Sequence, residues 1–241
     1  MEEKLLSEVS AINKKYALIN QKTGAYFNIF DITGISSDEV VICKLLCELL
    51  DPKGSHCQGD AFLRLFVNGT LKLNFSEPDY TSVSVHKEYN VNRRRIDIVI
   101  ISLNYMIPIE VKIFAGDQDG QCFDYSKIRQ KSNLYYLTLD GRLPSKNSAD
   151  GLIPEEKDRE IIGYKGLRLL SFKNDIINWL DKCLALPETI KIAPIREILL
   201  QFKDLLIRLT GQTEEGTKME IVNTLMSSAE NMKSALDIAK E

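Results

Sequence analysis

Residues 93 to 113 read RRRIDIVIISLNYMIPIEVKI, two apolar stretches of strand length joined by a short turn. Asp97 interrupts the first stretch, and Glu110 and Lys112 the second. An unpaired ion inside a sheet is destabilising by on the order of several kcal/mol, so these three need partners or a reason. A turn centred between Leu103 and Asn104 sets Asp97 opposite Glu110. Side chains alternate along a strand, so Asp97, Glu110 and Lys112 are expected on one face, with Ile96, Ile98, Ile100, Ile107, Ile109, Val111 and Ile113 on the other.

Two facing carboxylates repel unless a positive charge lies between them. A hard divalent cation meets that need, and Mg²⁺ tolerates a site of one or two carboxylates completed by water and phosphate oxygens. Lys112 is then within reach of a water or a phosphate oxygen. The competing reading is a solvated face on which Lys112 forms a salt bridge with an acid.

The elements that must position these residues are read as follows. Residues 2 to 20 suggest a helix, about 38 to 50 a second, and GDAFLRLFVN a short third. Residues 82 to 89 suggest a strand leading into the hairpin, and about 117 to 131 a helix. LYYLTLDG and GLRLLSF suggest further strands, with a loop from 141 to 166 between them. NDIINWLDKCL reads as a helix that Pro187 ends. The three-and-four spacing of Ile195, Ile198, Leu199, Phe202, Leu205, Leu206 and Leu209 gives an amphipathic helix whose stripe belongs to the core. The segment after Gly211 looks helical and stops without a cap, which suggests that the natural chain continues. The expected division is a domain over 1–212 and a helical extension over 213–241.

The chain has 241 residues, a net charge of -3 and 44% apolar residues, enough for a sizeable core and too acidic for a general polycation. Between Lys87 and Lys131 the balance turns positive: Lys87, Arg93, Arg94, Arg95, Lys112, Lys127, Arg129 and Lys131 face six acids, Glu88, Asp97, Glu110, Asp117, Asp119 and Asp124. Such a patch suits a phosphate backbone, with a merely solvated face as the alternative. Five cysteines without CxxC spacing, no signal peptide and no bilayer-length apolar run point to a reducing cytoplasm and no membrane partner. Cys43, Cys47 and the His56-Cys57 pair lack zinc-finger spacing, and the cysteines read as buried thiols rather than a zinc cluster.

The order IDIVI, turn, IEVK resembles the PD-(D/E)XK nuclease superfamily, with Ile96 in place of the proline. FNIFDITG, LLDPKGSH, GDQDGQ, YLTLDG, LSFKNDIINWL and FKDLLIRLTGQ are similar, in that order, to a bacterial branch of presumed nucleases of this superfamily. The resemblance implies an α/β, restriction-endonuclease-like core with a mixed central sheet flanked by helices. It implies Mg²⁺ or Mn²⁺ as cofactor, nucleic acid as partner with DNA ahead of RNA, and endonucleolytic hydrolysis. The other outcome is a catalytically silent nuclease fold used for binding. The resemblance carries metal ligation onto Asp97, Glu110 and the Val111 carbonyl, and the catalytic lysine onto Lys112. The acid of the first core helix falls on Glu39, although Ile42 stands where the branch commonly has a histidine. For Glu39 the competing role is a capping box with Ser36. Gln121, on a helical stripe with Gln118, Tyr125 and Ile128, completes the expected set.

Overall fold

The structure, a computed structural model, describes residues 2–91, 94–212 and 215–239. Arg93 of the basic cluster lies outside the described residues. A five-stranded sheet organises the chain, in the order β1 (Ser84–Val91), β2 (Arg94–Ile101), β3 (Met106–Lys112), β4 (Leu134–Thr138) and β7 (Leu167–Ser171). The first three strands form an antiparallel meander, and β3, β4 and β7 run parallel. This is the mixed sheet expected from the sequence.

The hairpin register is the expected one: Ile98 pairs with Ile109 and Ile101 with Met106. Its tip is pinned by Asp79, whose Oδ1 accepts from Asn104 N at 3.1 Å and from Asn104 Nδ2 at 3.0 Å. Asp79 closes a capping box with Ser76 on α5 (Glu77–Ser82), a short helix without a sequence counterpart above.

Apolar clusters cover both sheet faces. Ile98, Ile100, Ile107, Ile109, Val111 and Tyr135 pack with α3 (Glu39–Leu50), α7 (Ile177–Leu184) and α9 (Ala193–Leu209). The second cluster joins Val99, Leu134, Tyr136, Cys122, Tyr125 and Tyr164. Strands parallel to both neighbours are normally buried on both sides, which explains their near-continuous apolar character. The competing reading of a solvated face does not hold: Glu110 is 1% and Lys112 6% exposed.

Several expected elements differ. The helix read over 117–131 is only α6 (Gln121–Ser126). Asp117 is drawn away to Tyr136 Oη (2.7 Å) and Ser145 N (2.7 Å), Gly120 turns left-handed (φ 64°), and Gln130 exchanges backbone hydrogen bonds with Met106. The 141–166 loop contains a hairpin, β5 (Pro154–Lys157) and β6 (Glu160–Tyr164). The third helix, α4 (Ala61–Arg64), continues as a π-helical turn over Leu65–Thr70. Pro187 does not end α7, which stops at Leu184; it opens α8 (Pro187–Lys191), where its missing N–H is harmless.

The stripe of α9 is core, as expected, with Leu199, Phe202, Leu205 and Leu206 buried. Helix α1 (Glu2–Thr23) packs with α10 (Glu215–Met226) and α11 (Ala229–Ile238), and Lys15 pairs with Glu220 at 2.7 Å. α2 (Ile29–Ile32) contacts α9.

Candidate active site

The site begins with a fault in the meander. Strands β1 and β2 pair at Lys87–Ile98 and again at Tyr89–Ile96, but not at the intervening Glu88 and Asp97. Glu88 has φ 52°, a left-handed backbone rare for a residue with a side chain. β2 turns over there. Ile96 joins the second cluster while Ile98 and Ile100 stay in the first, which corrects the expectation that all three share a face. The turn lets Asp97 reach sideways: its Oδ2 accepts the Val111 N–H at 2.8 Å.

Glu110 projects from β3 into the interior. Its Oε1 accepts from Lys112 Nζ at 2.6 Å and from Gln121 Nε2 at 2.7 Å. Its Oε2 is buried and accepts from no donor among the described residues, and the Asp97 carboxyl lies within hydrogen-bonding reach of Glu110. Burial first, and then the nearby Asp97 charge, hold the Glu110 carboxyl well above the usual carboxylate range. Asp97 is also raised, chiefly by burial, against the lowering effect of the Val111 N–H. Burial works against the Lys112 ammonium, but Glu110, Asp97 and Glu39 together outweigh it and raise its pKa.

Glu39 opens α3 and lies at the end of β3, where its Oε2 accepts the Ile113 N–H at 2.7 Å. The capping box with Ser36 does not form. Asp38 caps the helix instead, accepting from Val41 N at 3.1 Å, and so releases Glu39 toward the sheet. Glu48, further along α3, accepts from Ser55 N. A narrow cleft between α3, β1 and β2 exposes this side of the site; Glu39, Cys43, Lys87, Arg95 and Asp97 are among its lining residues.

Gln121 is buried and links Glu110 to Tyr125, whose hydroxyl donates to the Arg95 carbonyl at 2.7 Å. Tyr125 shares the helical stripe of Gln121, a signal that identified the packing but not the hydrogen bond. Gln118 lies outside the helix and gives its N–H to Gln121 Oε1. Arg94 and Arg95, equivalent in the sequence, separate here. Arg94 is held by Asp124 at 2.7 Å and by the Asp119 carbonyl, whereas Arg95 reaches the cleft and pairs with Glu88 at 3.2 Å.

Glu110 Oε2 and the Asp97 carboxylate beside it are the groups that could hold a small hard cation. No group of three or more His, Cys, Asp or Glu side chains suited to a metal occurs among the described residues. Two carboxylates completed by carbonyl and water oxygens fit Mg²⁺, not the full side-chain cage of structural zinc. Burial pushes the Cys47 thiol up to about 12, and the buried His56 ring is engaged by the Asp51 carbonyl and Gln58 N.

The family model of the PD-(D/E)XK nuclease superfamily matches residues 27–203, and the chain belongs to that superfamily. Comparison with curated proteins and with solved structures found no match. Membership brings phosphodiester hydrolysis and a nucleic-acid substrate as the reaction class. No helix among the described residues is long and apolar enough to cross a membrane.

Proposed function

We propose that this protein is a Mg²⁺- or Mn²⁺-dependent endonuclease acting on DNA. The observation that carries the reading is the buried Glu110, with one oxygen held by Lys112 and Gln121 and the other facing the Asp97 carboxyl with no donor upon it. Asp97, Glu110 and the Val111 carbonyl would hold the cation, which supplies Lewis-acid stabilisation of charge at the phosphoryl group. Lys112 is the catalytic residue among the cations. Its ammonium, restrained at Glu110, orients the attacking water by hydrogen bonding and donates to the oxygen on which charge accumulates.

Gln121 fixes Glu110 through Oε1 and so keeps Oε2 directed at the cation. Glu39 ties the start of α3 to the end of β3 and holds a further negative charge close to Lys112. The free cysteines accord with a reducing, cytoplasmic setting.

The test is cleavage of single-stranded, duplex and nicked DNA and of RNA, with Mg²⁺, Mn²⁺ or chelator. Internal cleavage of DNA that chelator abolishes is the expected result. Binding without cleavage of any substrate under any metal would instead establish a silent nuclease fold.

A further inference from the structure

Lys112, Thr138 and Ser171 stand side by side at the ends of the parallel strands β3, β4 and β7. Beyond them lies a groove lined by Ile113, Leu139, Asp140, Arg142, Lys173 and Thr210. It begins one residue past Lys112, at Ile113, whose N–H Glu39 accepts. The outer ends of parallel strands are where open α/β sheets bind ligands.

Two exposed cations line this groove, Arg142 and Lys173. Among the described residues neither Arg142 nor Lys173 is in an ion pair with a carboxylate, which leaves both charges open to an anion. The one acid in the groove, Asp140, accepts from the Arg142 backbone N–H at 3.2 Å.

The backbone carrying these cations is fixed at several points. Thr138 Oγ1 accepts from Gly141 N at 2.8 Å, which holds the left-handed turn (φ 83°) against Ser171. Lys173 N donates to the Leu139 carbonyl at 3.0 Å, and Gln212 Nε2 donates to the Lys173 carbonyl at 3.1 Å. Lys173 itself sits on a π-helical turn, Phe172–Ile176, clamped by Asp175 on Ser171.

We infer that Arg142 and Lys173 form a phosphate-binding track that carries the substrate strand away from the site along the strand ends. The inference rests on the nuclease reading above. Neighbouring strands lie about 4.8 Å apart, so β4 and β7 end roughly 5 and 10 Å from β3. Arg142 follows the end of β4 and Lys173 the end of β7, so the two cations would meet phosphates a few steps from the scissile one. A second groove sharing Lys173 continues past Gln212 to Lys218 and extends the track.

The test uses the Arg142→Ala/Lys173→Ala double variant of the full chain, with Lys14→Ala/Lys22→Ala on the exposed side of α1 as control. Equilibrium binding of a labelled DNA duplex with Ca²⁺ is measured from low to moderate salt, and single-turnover cleavage with Mg²⁺ at saturating protein. The track requires roughly tenfold weaker binding and a log K against log salt slope flatter by about 2, with the saturated cleavage rate within about threefold of wild type. The control should match wild type. Unchanged affinity and slope in the double variant, or an equal loss in the control, overturns the track. If wild type binds but never cleaves, the nuclease reading fails, and the salt slope still decides the track.

Discussion

Glu110 is held at a disadvantage in the metal-free protein, and that disadvantage has a measurable sign. Its folded pKa lies above the unfolded one, so between the two the folded state binds more protons than the unfolded chain. Stability conferred by the protonated carboxyl is therefore complete below the unfolded pKa and declines as pH rises through the window. Asp97, also raised, adds in the same direction. Glu110→Gln removes this titration and the charge. In chelator, its melting temperature should equal or exceed that of wild type at pH 8, with the difference shrinking toward pH 5. Adding Mn²⁺ should raise the wild-type melting temperature and leave that of the variant unmoved. A variant that melts lower at pH 8 than at pH 5 by as much as wild type would remove Glu110 from the titration.

The kink in the β1–β2 pair makes a prediction for the element. A residue with a side chain at φ 52° is strained by roughly 1–2 kcal/mol, and glycine is not. Glu88→Gly should therefore retain cleavage and lose no stability beyond its exposed pair with Arg95. Glu88→Val, branched at Cβ, should force the strand straight, displace Asp97 from Val111 N, and weaken Mn²⁺ binding by tenfold or more. Calorimetric titration of the three proteins checks both; equal affinities would separate the kink from the site.

This kink also marks what the sequence could not reveal. The hairpin register was legible because period-two alternation flanks one short turn, and the stripe of α9 because its helical spacing is unbroken. Asp97, Glu110, Lys112, Glu39 and Gln121 do gather around one end of β3. Nothing in VHKEYNV announces a left-handed Glu88, so the Ile96 face was misread. β5 and β6 were missed because PEEK and EIIGY are largely solvent-facing and lack a clear alternation. Asp117 and Asp38 were decided by tertiary partners and by competition between neighbouring caps, neither of which local pattern resolves.

Among the described residues, the two apolar clusters contain none before Phe30 or after Leu209. Helices α1, α10 and α11 pack on one another with few buried side chains, Leu5 and Ile12 being those of α1. A chain ended after Gln212 should therefore fold around the same sheet, melt within several degrees of the full chain, and keep metal-dependent cleavage, while α1 gains fast amide exchange. Loss of cooperative melting would show that the helical group is part of the nuclease core.

If Asp97, Glu110 and Lys112 form one hydrolytic site, as proposed, Lys112 is its sharpest probe. Its buried ammonium is aimed at Glu110 and contributes one charge among many to binding a phosphate backbone, so its removal should affect chemistry far more than affinity. The measurement is single-turnover cleavage of a labelled DNA duplex with Mg²⁺ by Lys112→Ala, beside duplex binding with Ca²⁺. Lys112→Ala is expected to cleave at least roughly 10²–10³-fold more slowly, the scale of losing one electrostatic donor, with affinity within a few fold of wild type. Cleavage by Lys112→Ala at the wild-type rate would contradict the proposal.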